Sequence, residues 1–414
     1  MIKVCDAIMG TGKSQSAIAY MNERLNDKFI YITPYLDEAD RIKKGCPKLK
    51  FVEPSNNLKE YDFKKSTHTA ALIKNGRNIA TTHQAFKNYT PDVLSDIKEQ
   101  GYTLIIDENV DILENCDYSP GDLQLAVDAG YVIENDGMYS IGEKEYKGKV
   151  LTGLFTLLKS RDLVRIEDEK SNSLFYWTLP PDLLTSFKDV FILTYLFTGQ
   201  SLHHFLKIYN IPYEYIGIEK TEGGTGFRFC EPPGYTPEYV SHLGDMLNIL
   251  DNPKINGIGD DYFALSKNWY DKGKGNAEKL KKNVYNYYNN IYKDIPADRR
   301  LWATYNGAFG KVKGKGYTKG FLTFNSKATN KYKTRDCLVY LVNIFMNVNE
   351  KKFYQKHGIE VDEDIYALSI MVQWIWRSAI RDGEKVNLYI PSKRMRTILT
   401  NWIEATSKGG NTVE

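Results

Sequence analysis

A glycine-rich stretch near the start of the chain contains residues that could bind phosphate. It reads Ala7-Ile8-Met9-Gly10-Thr11-Gly12-Lys13-Ser14, between an apolar strand pattern and a helical pattern. Glycines let backbone N–H groups turn toward an anion, a lysine here neutralises phosphate charge, and a serine hydroxyl binds Mg²⁺. The stretch therefore predicts a nucleoside triphosphate site. We expect the nucleotide to be bound by Gly10, Thr11, Gly12, Lys13, Ser14 and Gln15, and Mg²⁺ by Ser14.

Two adjacent carboxylates end an apolar run further along the chain. Asp107 and Glu108 directly follow the Leu-Ile-Ile of residues 104–106. At a strand end beside a phosphate loop, the aspartate can bind Mg²⁺ and the glutamate can polarise the attacking water. We therefore expect Asp107 to be a second Mg²⁺ ligand, and Lys13, Asp107 and Glu108 to be catalytic. The other interpretation is a strand that ends in solvated acids.

Two arginines late in the chain could stabilise the charge of a transferring phosphoryl group. Arg377 and Arg381 are four residues apart, and Gln373 lies one turn before them. On a predicted helix over 370–380, residues at this spacing share one face. We expect Gln373, Arg377 and Arg381 to be catalytic, with the arginines acting as arginine fingers. The simpler hypothesis is an amphipathic helix with two solvated arginines.

The stretch 299–335, called the basic stretch below, has the composition of a track for single-stranded nucleic acid. It contains ten basic residues and no acid, and aromatic residues such as Trp302, Tyr305 and Tyr317 lie between them. Positive charge suits phosphates and aromatic faces suit bases. We expect Lys311, Lys313 and Lys315 to contact nucleic acid. The alternative is a solvated lysine loop beside core aromatics.

Alternating strand and helix patterns predict βα units around mainly parallel sheets. Strands are predicted at 2–6, 29–33, 78–81, 104–107, 190–194, 227–231, 301–305, 320–324 and 386–390. Helices are predicted at 14–26, 36–44, 91–99, 276–291, 336–346, 370–380 and 394–405. We expect a first lobe of 1–114 with 187–218 and a second lobe of 219–414. The segment 115–186 departs from the alternation, and its helix and hairpin predict a small winged-helix-like insertion.

The composition excludes several classes of protein. The 414 residues are 42% hydrophobic and 26% charged, which argues against disordered and coiled-coil chains. No apolar run approaches the ~20 residues of a membrane span, so we expect no membrane partner. The five cysteines lack any C-x-x-C spacing, which suits a reducing, cytoplasmic compartment. The net charge of +3 conceals two opposed segments, an acidic one over 99–143 that contains no Lys or Arg, and the basic stretch.

Together these motifs resemble those of superfamily 2 (DExD/H-box) helicases, most closely the phage-encoded DEAD/DEAH-type replication helicases. The stretch 7–14 is similar to motif I, 30–36 to motif Ia, 107–110 to motif II, 193–200 to motif III, 328–330 to motif V and 373–381 to motif VI. The threonine-rich segment 79–86 resembles the one that precedes the acidic box. Motif II reads Asp-Glu-Asn-Val, and the second arginine of motif VI comes one residue later than in the family pattern.

The resemblance implies an α/β protein with two RecA-like P-loop lobes in tandem, an insertion in the first lobe, and ATP with Mg²⁺ between the lobes. It implies an ATP hydrolase that acts as a helicase or translocase on single-stranded or forked DNA in phage-type replication or recombination. The cytoplasm would then be that of a bacterial host, and the insertion could bind replication proteins. The resemblance places nucleic-acid contacts at Thr33, Pro34, Thr82, His83, Thr329 and Asn330.

Three other functions stay open at this point. The first is an ATPase switch or loader that recruits other proteins and does not unwind duplexes. The second is a small-molecule P-loop kinase, which would leave the motif around Arg377 unexplained. The third is a non-enzymatic DNA-binding protein, against which the intact Gly12-Lys13-Ser14 and Asp107-Glu108 argue.

Overall fold

The computed structural model describes residues 1–167, 173–273, 275–326 and 331–408. They form two compact units. The first unit comprises Met1–Ala7, Gly12–Tyr235 and Asn347–Val361, and the second comprises Ile8–Thr11, Thr236–Met346 and the chain from Asp362 onward. In the described part of the chain, no helix combines the length and hydropathy that a bilayer crossing requires.

The strands and helices are numbered in chain order. The strands are β1 (Ile2–Asp6), β2 (Phe29–Thr33), β3 (Ile79–Thr82), β4 (Thr103–Asp107), β5 (Leu113–Asn115), β6 (Val132–Asn135), β7 (Met138–Ile141), β8 (Asp162–Glu167), β9 (Ser173–Thr178), β10 (Asp189–Thr194), β11 (Tyr213–Tyr215), β12 (Gly217–Lys220), β13 (Phe227–Cys230), β14 (Leu247–Ile249), β15 (Arg300–Ala303), β16 (Cys337–Tyr340) and β17 (Val386–Tyr389). The helices are α1 (Lys13–Asn22), α2 (Leu36–Gly45), α3 (Lys65–Lys74), α4 (His83–Phe86), α5 (Pro91–Gln100), α6 (Pro120–Asp128), α7 (Thr152–Leu158), α8 (Asp182–Thr185), α9 (Ser201–Ile208), α10 (Leu243–Met246), α11 (Pro253–Asn256), α12 (Lys267–Lys272), α13 (Asn276–Asn286), α14 (Asn306–Val312), α15 (Val348–Lys356), α16 (Glu363–Ile375) and α17 (Lys393–Ser407).

The first unit is built on a six-stranded parallel sheet in the order β11-β1-β10-β4-β2-β3. Strands such as β2 are buried along their whole length, as expected for a parallel sheet that is covered on both faces. The register pairs Asp6 with Thr194, Leu193 with Asp107, and Thr33 with Thr82. The carboxyl ends of these strands therefore meet at one edge of the sheet, where ligands of open α/β sheets bind.

The insertion is a five-stranded antiparallel sheet in the order β5-β9-β8-β7-β6. Helices α6 and α7 pack on one face through residues such as Leu123 and Leu154, which share a core with Trp177. The predicted helix and hairpin are present as α7 and β8–β9, but a further hairpin, β6–β7, extends the sheet. The winged-helix-like outline is therefore not confirmed.

A segment from late in the chain completes the first unit. Helix α15 packs against β8, and its residues Phe353 and Tyr354 are buried. The amide Nδ2 of Asn349 donates to the hydroxyl of Tyr176 in β9 at 3.4 Å. The first unit therefore needs residues that follow β16 in the sequence.

The second unit contains a four-stranded parallel sheet in the order β14-β17-β16-β15. Its core is rich in aromatic residues, including Tyr287, Trp302 and Tyr389. The predicted helix at 336–346 is wrong, because this short apolar run forms the buried strand β16. Periodicity alone cannot distinguish such a run from a buried helix. The predicted strand at 320–324 is reduced to one bridge between Trp302 and Phe321.

The division between the units differs from the predicted lobe boundary at 218/219. Strand β13, which we had placed in the second lobe, pairs with β12 as an antiparallel hairpin of the first unit. This hairpin packs on α1, so the first unit runs on to Tyr235. The predicted boundary fell inside the hairpin because residues 219–226, Glu-Lys-Thr-Glu-Gly-Gly-Thr-Gly, resemble a linker. The first two of them end β12, and the other six form the turn to β13.

Candidate nucleotide-binding site

The phosphate loop joins the end of β1 to the start of α1. Gly10 has φ +86° and Gly12 has φ +90°, a conformation that glycine adopts at little cost. A Cβ on Gly12 would also lie closer than 3.0 Å to three ring carbons of Phe227 in β13. The hydroxyl of Thr11 donates to the carbonyl of Ile8 at 2.8 Å and braces the loop. Glycine at position 12 is therefore required twice, by backbone conformation and by space.

Lys13 is the first residue of α1 and is held inside the loop. Its ammonium group donates to the carbonyl of Ala7. Burial lowers the pKa of Lys13, while the neighbouring Cys5 and Asp6 oppose this change. Gln15, two residues further on, is exposed.

Asp107 at the end of β4 accepts two hydrogen bonds on the same oxygen, Oδ2. The hydroxyl of Ser14 donates at 3.0 Å and the phenol of Tyr31 donates at 2.6 Å. Burial raises the pKa of the Asp107 carboxyl, and the hydrogen bond from Tyr31 lowers it. The fold thus brings Ser14 and Asp107, the two predicted Mg²⁺ ligands, into direct contact.

A hydroxyl and a carboxylate are hard oxygen donors of the kind that Mg²⁺ prefers. In the described ranges, no group of three or more His, Cys, Asp and Glu side chains could hold a metal ion. Mg²⁺ bound by Ser14 and Asp107 would therefore need further oxygen ligands from phosphates or water, which is its usual coordination at nucleotide sites.

Glu108 follows Asp107 in a left-handed conformation with φ +64°, which is unusual for a residue with a side chain. Its backbone N–H donates to the carbonyl of Leu193 at 3.0 Å. The imidazole Nε2 of His83 donates to the carbonyl of Asp107 at 2.9 Å. His83 is buried against the backbone of Asp107, and its contact with nucleic acid stays a prediction.

Asp6 connects the phosphate-loop strand to the loop after β10. Its Oδ2 accepts the backbone N–H of Phe197 at 3.0 Å. Burial raises the pKa of the Asp6 carboxyl, and this hydrogen bond lowers it. In the same loop, the hydroxyl of Thr194 donates to Oε1 of Gln200 at 2.6 Å, and Gln200 Nε2 donates to the carbonyl of Tyr195 at 2.8 Å. The segment 193–200, which resembles motif III, is therefore anchored to the strand that leads into the phosphate loop.

Sequence reasoning missed Asp6 and Tyr31. The signal for Asp6 was its position directly before the glycine-rich loop. The signal for Tyr31 was a phenol inside the run Phe-Ile-Tyr-Ile, residues 29–32, which is otherwise apolar. A buried phenol usually finds a hydrogen-bond acceptor, so its position in β2 pointed to a polar partner.

The predicted nucleic-acid contacts of the first unit lie at the carboxyl edge of its sheet. Thr33 and Thr82 are paired in the register of β2 and β3. Both hydroxyls also have structural roles, because Thr33 donates to the carbonyl of Tyr35 at 3.0 Å and Thr82 accepts the backbone N–H of Ala85 at 3.3 Å. Pro34 directly follows Thr33 at this edge and is partly buried.

The basic stretch is largely tied into its own unit. The composition of the basic stretch predicts aromatic faces that stack on bases. Trp302 and Tyr317 are instead buried in the core, so their faces are not available for stacking. Lys311 Nζ donates to the carbonyl of Tyr270 at 2.9 Å, whereas Lys313 and Lys315 are exposed. The predicted contacts Thr329 and Asn330 lie outside the described residues.

The predicted helix that carried both arginines ends earlier than expected. Helix α16 includes Gln373 and ends at Ile375, and Arg381 lies in a separate 3-10 turn, Ala379–Asp382. After the helix the backbone of Ser378 is extended, and the hydroxyl of Ser378 donates back to the carbonyl of Ile375 at 2.6 Å. Arg377 and Arg381 therefore do not share a helical face, and Arg377 is buried whereas Arg381 is exposed.

Two parallel sheets in tandem, with a phosphate loop after the first strand of the first sheet, define an α/β fold of two RecA-like P-loop lobes. A solved structure described as XPD_APO is similar over 100% of this chain and 96% of that chain, with a TM-score of 0.50 and 12% identity. A structure of S. tokodaii Xpd4 covers 97% of this chain and 94% of that chain, with a TM-score of 0.42 and 14% identity. At this identity the likeness to XPD_APO is one of fold.

A family model described as the YonV C-terminal Rossmann-like domain matches residues 241–403. The SPbeta prophage-derived uncharacterized protein YonV of Bacillus subtilis (strain 168) is 38% identical over 416 residues, which cover 97% of this chain and 98% of that protein. The chain belongs to the YonV family.

Proposed function

We propose that this protein is an ATP-dependent nucleic-acid helicase or translocase that hydrolyses ATP at its phosphate loop. The observation that carries the proposal is the direct contact between Ser14 and Asp107 beside a loop whose glycines have positive φ. Strand-end carboxylates and a phosphate loop meet in this way in enzymes that bind nucleoside triphosphates.

The residues of the loop divide the chemical work. Backbone N–H groups of residues 10–15 and the ammonium of Lys13 would bind the phosphates, and Ser14 and Asp107 would hold Mg²⁺. When bound, Mg²⁺ neutralises charge on the phosphate oxygens. Glu108, next to the metal-site carboxylate, accepts a proton from the attacking water. Gln373, Arg377 and Arg381 would stabilise the phosphoryl group as it transfers, and this role stays a prediction.

The proposed nucleic-acid partner is single-stranded or forked DNA in a phage-type replication or recombination reaction. The prophage origin of the relative supports this setting. The sugar–phosphate backbone of the nucleic acid would contact Thr33, Pro34 and Thr82 at the carboxyl ends of the strands. It would also contact the exposed Lys313 and Lys315. Positive charges at these two lysines would contribute the salt-dependent part of binding.

ATP hydrolysis with and without single-stranded DNA tests the proposal. Lys13→Ala and Glu108→Gln should each lower turnover by at least about 100-fold, because each removes a group that acts on the transferring phosphate or the water. The exposed residues Lys44 and Glu99 offer matched controls, and Lys44→Ala and Glu99→Gln should leave turnover unchanged.

The results separate the possible functions. Unchanged turnover in Lys13→Ala and Glu108→Gln would overturn the hydrolytic site. Turnover that is insensitive to DNA and RNA would overturn the motor and spare the ATPase. Nucleic-acid-stimulated turnover without strand separation in an unwinding assay would favour the switch or loader.

A further inference from the structure

Tyr31 lies in the middle of β2, where a side chain of the sheet would ordinarily be apolar. Its register partner in β4 is Ile105, and residues two apart in a strand face the same side, so Tyr31, Ile105 and Asp107 share one face. Tyr31 and Ile105 share a core cluster with Ala17 of α1. The phenol therefore lies beneath the helix that begins with the phosphate-binding residues.

The hydroxyl of Tyr31 is directed at the predicted metal site. It donates to Oδ2 of Asp107 at 2.6 Å, the same oxygen that accepts the hydroxyl of Ser14 at 3.0 Å. A hydrogen bond from a hydroxyl to a carboxylate at this distance is among the stronger ones in proteins. A phenylalanine would fill the same space in the core but would leave Asp107 without this donor.

We propose that Tyr31 is a positioning residue of the Mg²⁺ site, a role that rests on the proposed ATPase function. Its phenol fixes the orientation of the Asp107 carboxylate, so that Asp107 and the Ser14 hydroxyl face the metal together. Groups that hold a metal ligand in place typically contribute about 10- to 100-fold to metal affinity. Tyr31 thus affects the nucleotide affinity that depends on Mg²⁺. The affinity without metal depends on the phosphate loop and not on Tyr31.

The test is the binding of a fluorescent ADP analogue to the full chain, titrated with Mg²⁺ from an EDTA-treated start. Mg²⁺ should increase the affinity of the protein for the analogue. In Tyr31→Phe, the Mg²⁺ concentration at which half of this increase is reached should rise by about 10-fold. The metal-free dissociation constant of the analogue should stay within about two-fold, since the loop residues are untouched. Tyr89→Phe is the matched control, because Tyr89 is also buried and its hydroxyl has no hydrogen-bond partner among the described residues.

A double-mutant comparison shows whether Tyr31 acts through Asp107. In an Asp107→Asn background, Tyr31→Phe should change the Mg²⁺ response no further. An unchanged Mg²⁺ response in Tyr31→Phe, or an equal loss in Tyr89→Phe, would overturn the positioning role while the wild type still binds and hydrolyses nucleotide. If the wild type binds the analogue with no tightening by Mg²⁺, the proposed function fails together with this inference. Thermal unfolding of each variant confirms that the binding values refer to folded protein.

Discussion

The phosphate loop and the basic stretch direct their polar groups in opposite ways. Around the loop, the hydroxyls of Ser14 and Tyr31 donate to the carboxylate of Asp107 at the carboxyl end of β4. In the basic stretch, Arg300 is buried, with Nη2 donating to the carbonyl of Tyr288 at 2.9 Å, and Arg299 pairs with Asp336. The groups around the loop lie together where a ligand could bind them. In the basic stretch, Arg299 and Arg300 instead form hydrogen bonds and ion pairs within their own unit. A run of positive charge is therefore weaker support for a binding surface than a few groups that converge at a strand end.

The largest expected effect tests the structural side of this comparison. Trp302 is fully buried, and its indole N–H donates to the carbonyl of Tyr317 at 2.9 Å. Trp302→Ala should lower the free energy of unfolding by about 3–5 kcal/mol, because it leaves a cavity and removes the indole hydrogen bond. Denaturant unfolding measures this, with Tyr332→Ala in a partly exposed part of the stretch as the control. A Trp302 variant of normal stability that loses nucleic-acid binding would restore the base-stacking role.

The next effect tests the geometry of the phosphate loop. Gly12→Ala should destabilise the protein by about 2–4 kcal/mol and abolish nucleotide binding. The alanine would keep a strained positive φ, and its Cβ would clash with the ring of Phe227. Gly224 has φ +70° and open space around its Cα, so Gly224→Ala should carry only the conformational cost of about 1 kcal/mol. Thermal unfolding and nucleotide binding measure both. Equal losses in the two variants would argue against a steric role for Phe227.

A smaller effect is expected for the exposed lysines of the basic stretch. Neutralising Lys313 and Lys315 together should weaken binding of single-stranded DNA by about 10-fold at low salt and flatten the log–log salt dependence by about 1.4. The exposed Lys279 and Lys282 on α13 provide the matched control pair. If affinity and salt slope match those of the wild type, the stretch does not contact the strand.

The smallest effect concerns α15. Burial and the neighbouring Asp111 raise the pKa of Glu350 to about 7. A carboxyl whose pKa is raised on folding binds its proton more tightly in the native state, so stability falls as pH rises from the ordinary value toward 7. Glu350→Gln should therefore gain about 1–2 kcal/mol over the wild type across this range, with no further gain at higher pH.

Denaturant unfolding at several pH values measures the difference for Glu350→Gln. The exposed Glu360 provides the control variant Glu360→Gln, whose difference from the wild type should stay smaller. A difference for Glu350→Gln that does not change with pH would contradict the buried-carboxyl interpretation.

Much of the fold was predictable because its signals are local. The strands at 2–6 and 29–33 were predicted with the bounds that the structure has, and the fold of two RecA-like lobes is confirmed. Strand–loop–helix context located the phosphate loop, since the chemistry and the connection lie in adjacent residues. Asp6 and Tyr31 could not be identified in this way, because their partners Phe197 and Asp107 are far away in the sequence.

The errors have a common physical origin in tertiary contacts. The run at 336–346 became a strand because β15 and β17 pair with it on both sides. The helix that was to carry Arg377 and Arg381 ends early, and Ala379 donates its backbone N–H to the carbonyl of Arg335. In both places a partner from elsewhere in the chain overrides the local pattern.

The position of α15 also matters while the chain is being synthesised. The first unit includes Asn347–Val361, and the 111 residues of Thr236–Met346, which belong to the second unit, are translated before that segment. At about 5–20 residues per second, this delay lasts roughly 6–20 s. During that time the contacts between β8 and α15 have not yet formed. The first unit is therefore completed only after α15 has been synthesised, and a ribosome pause before that point would prolong the time for which the unit is incomplete.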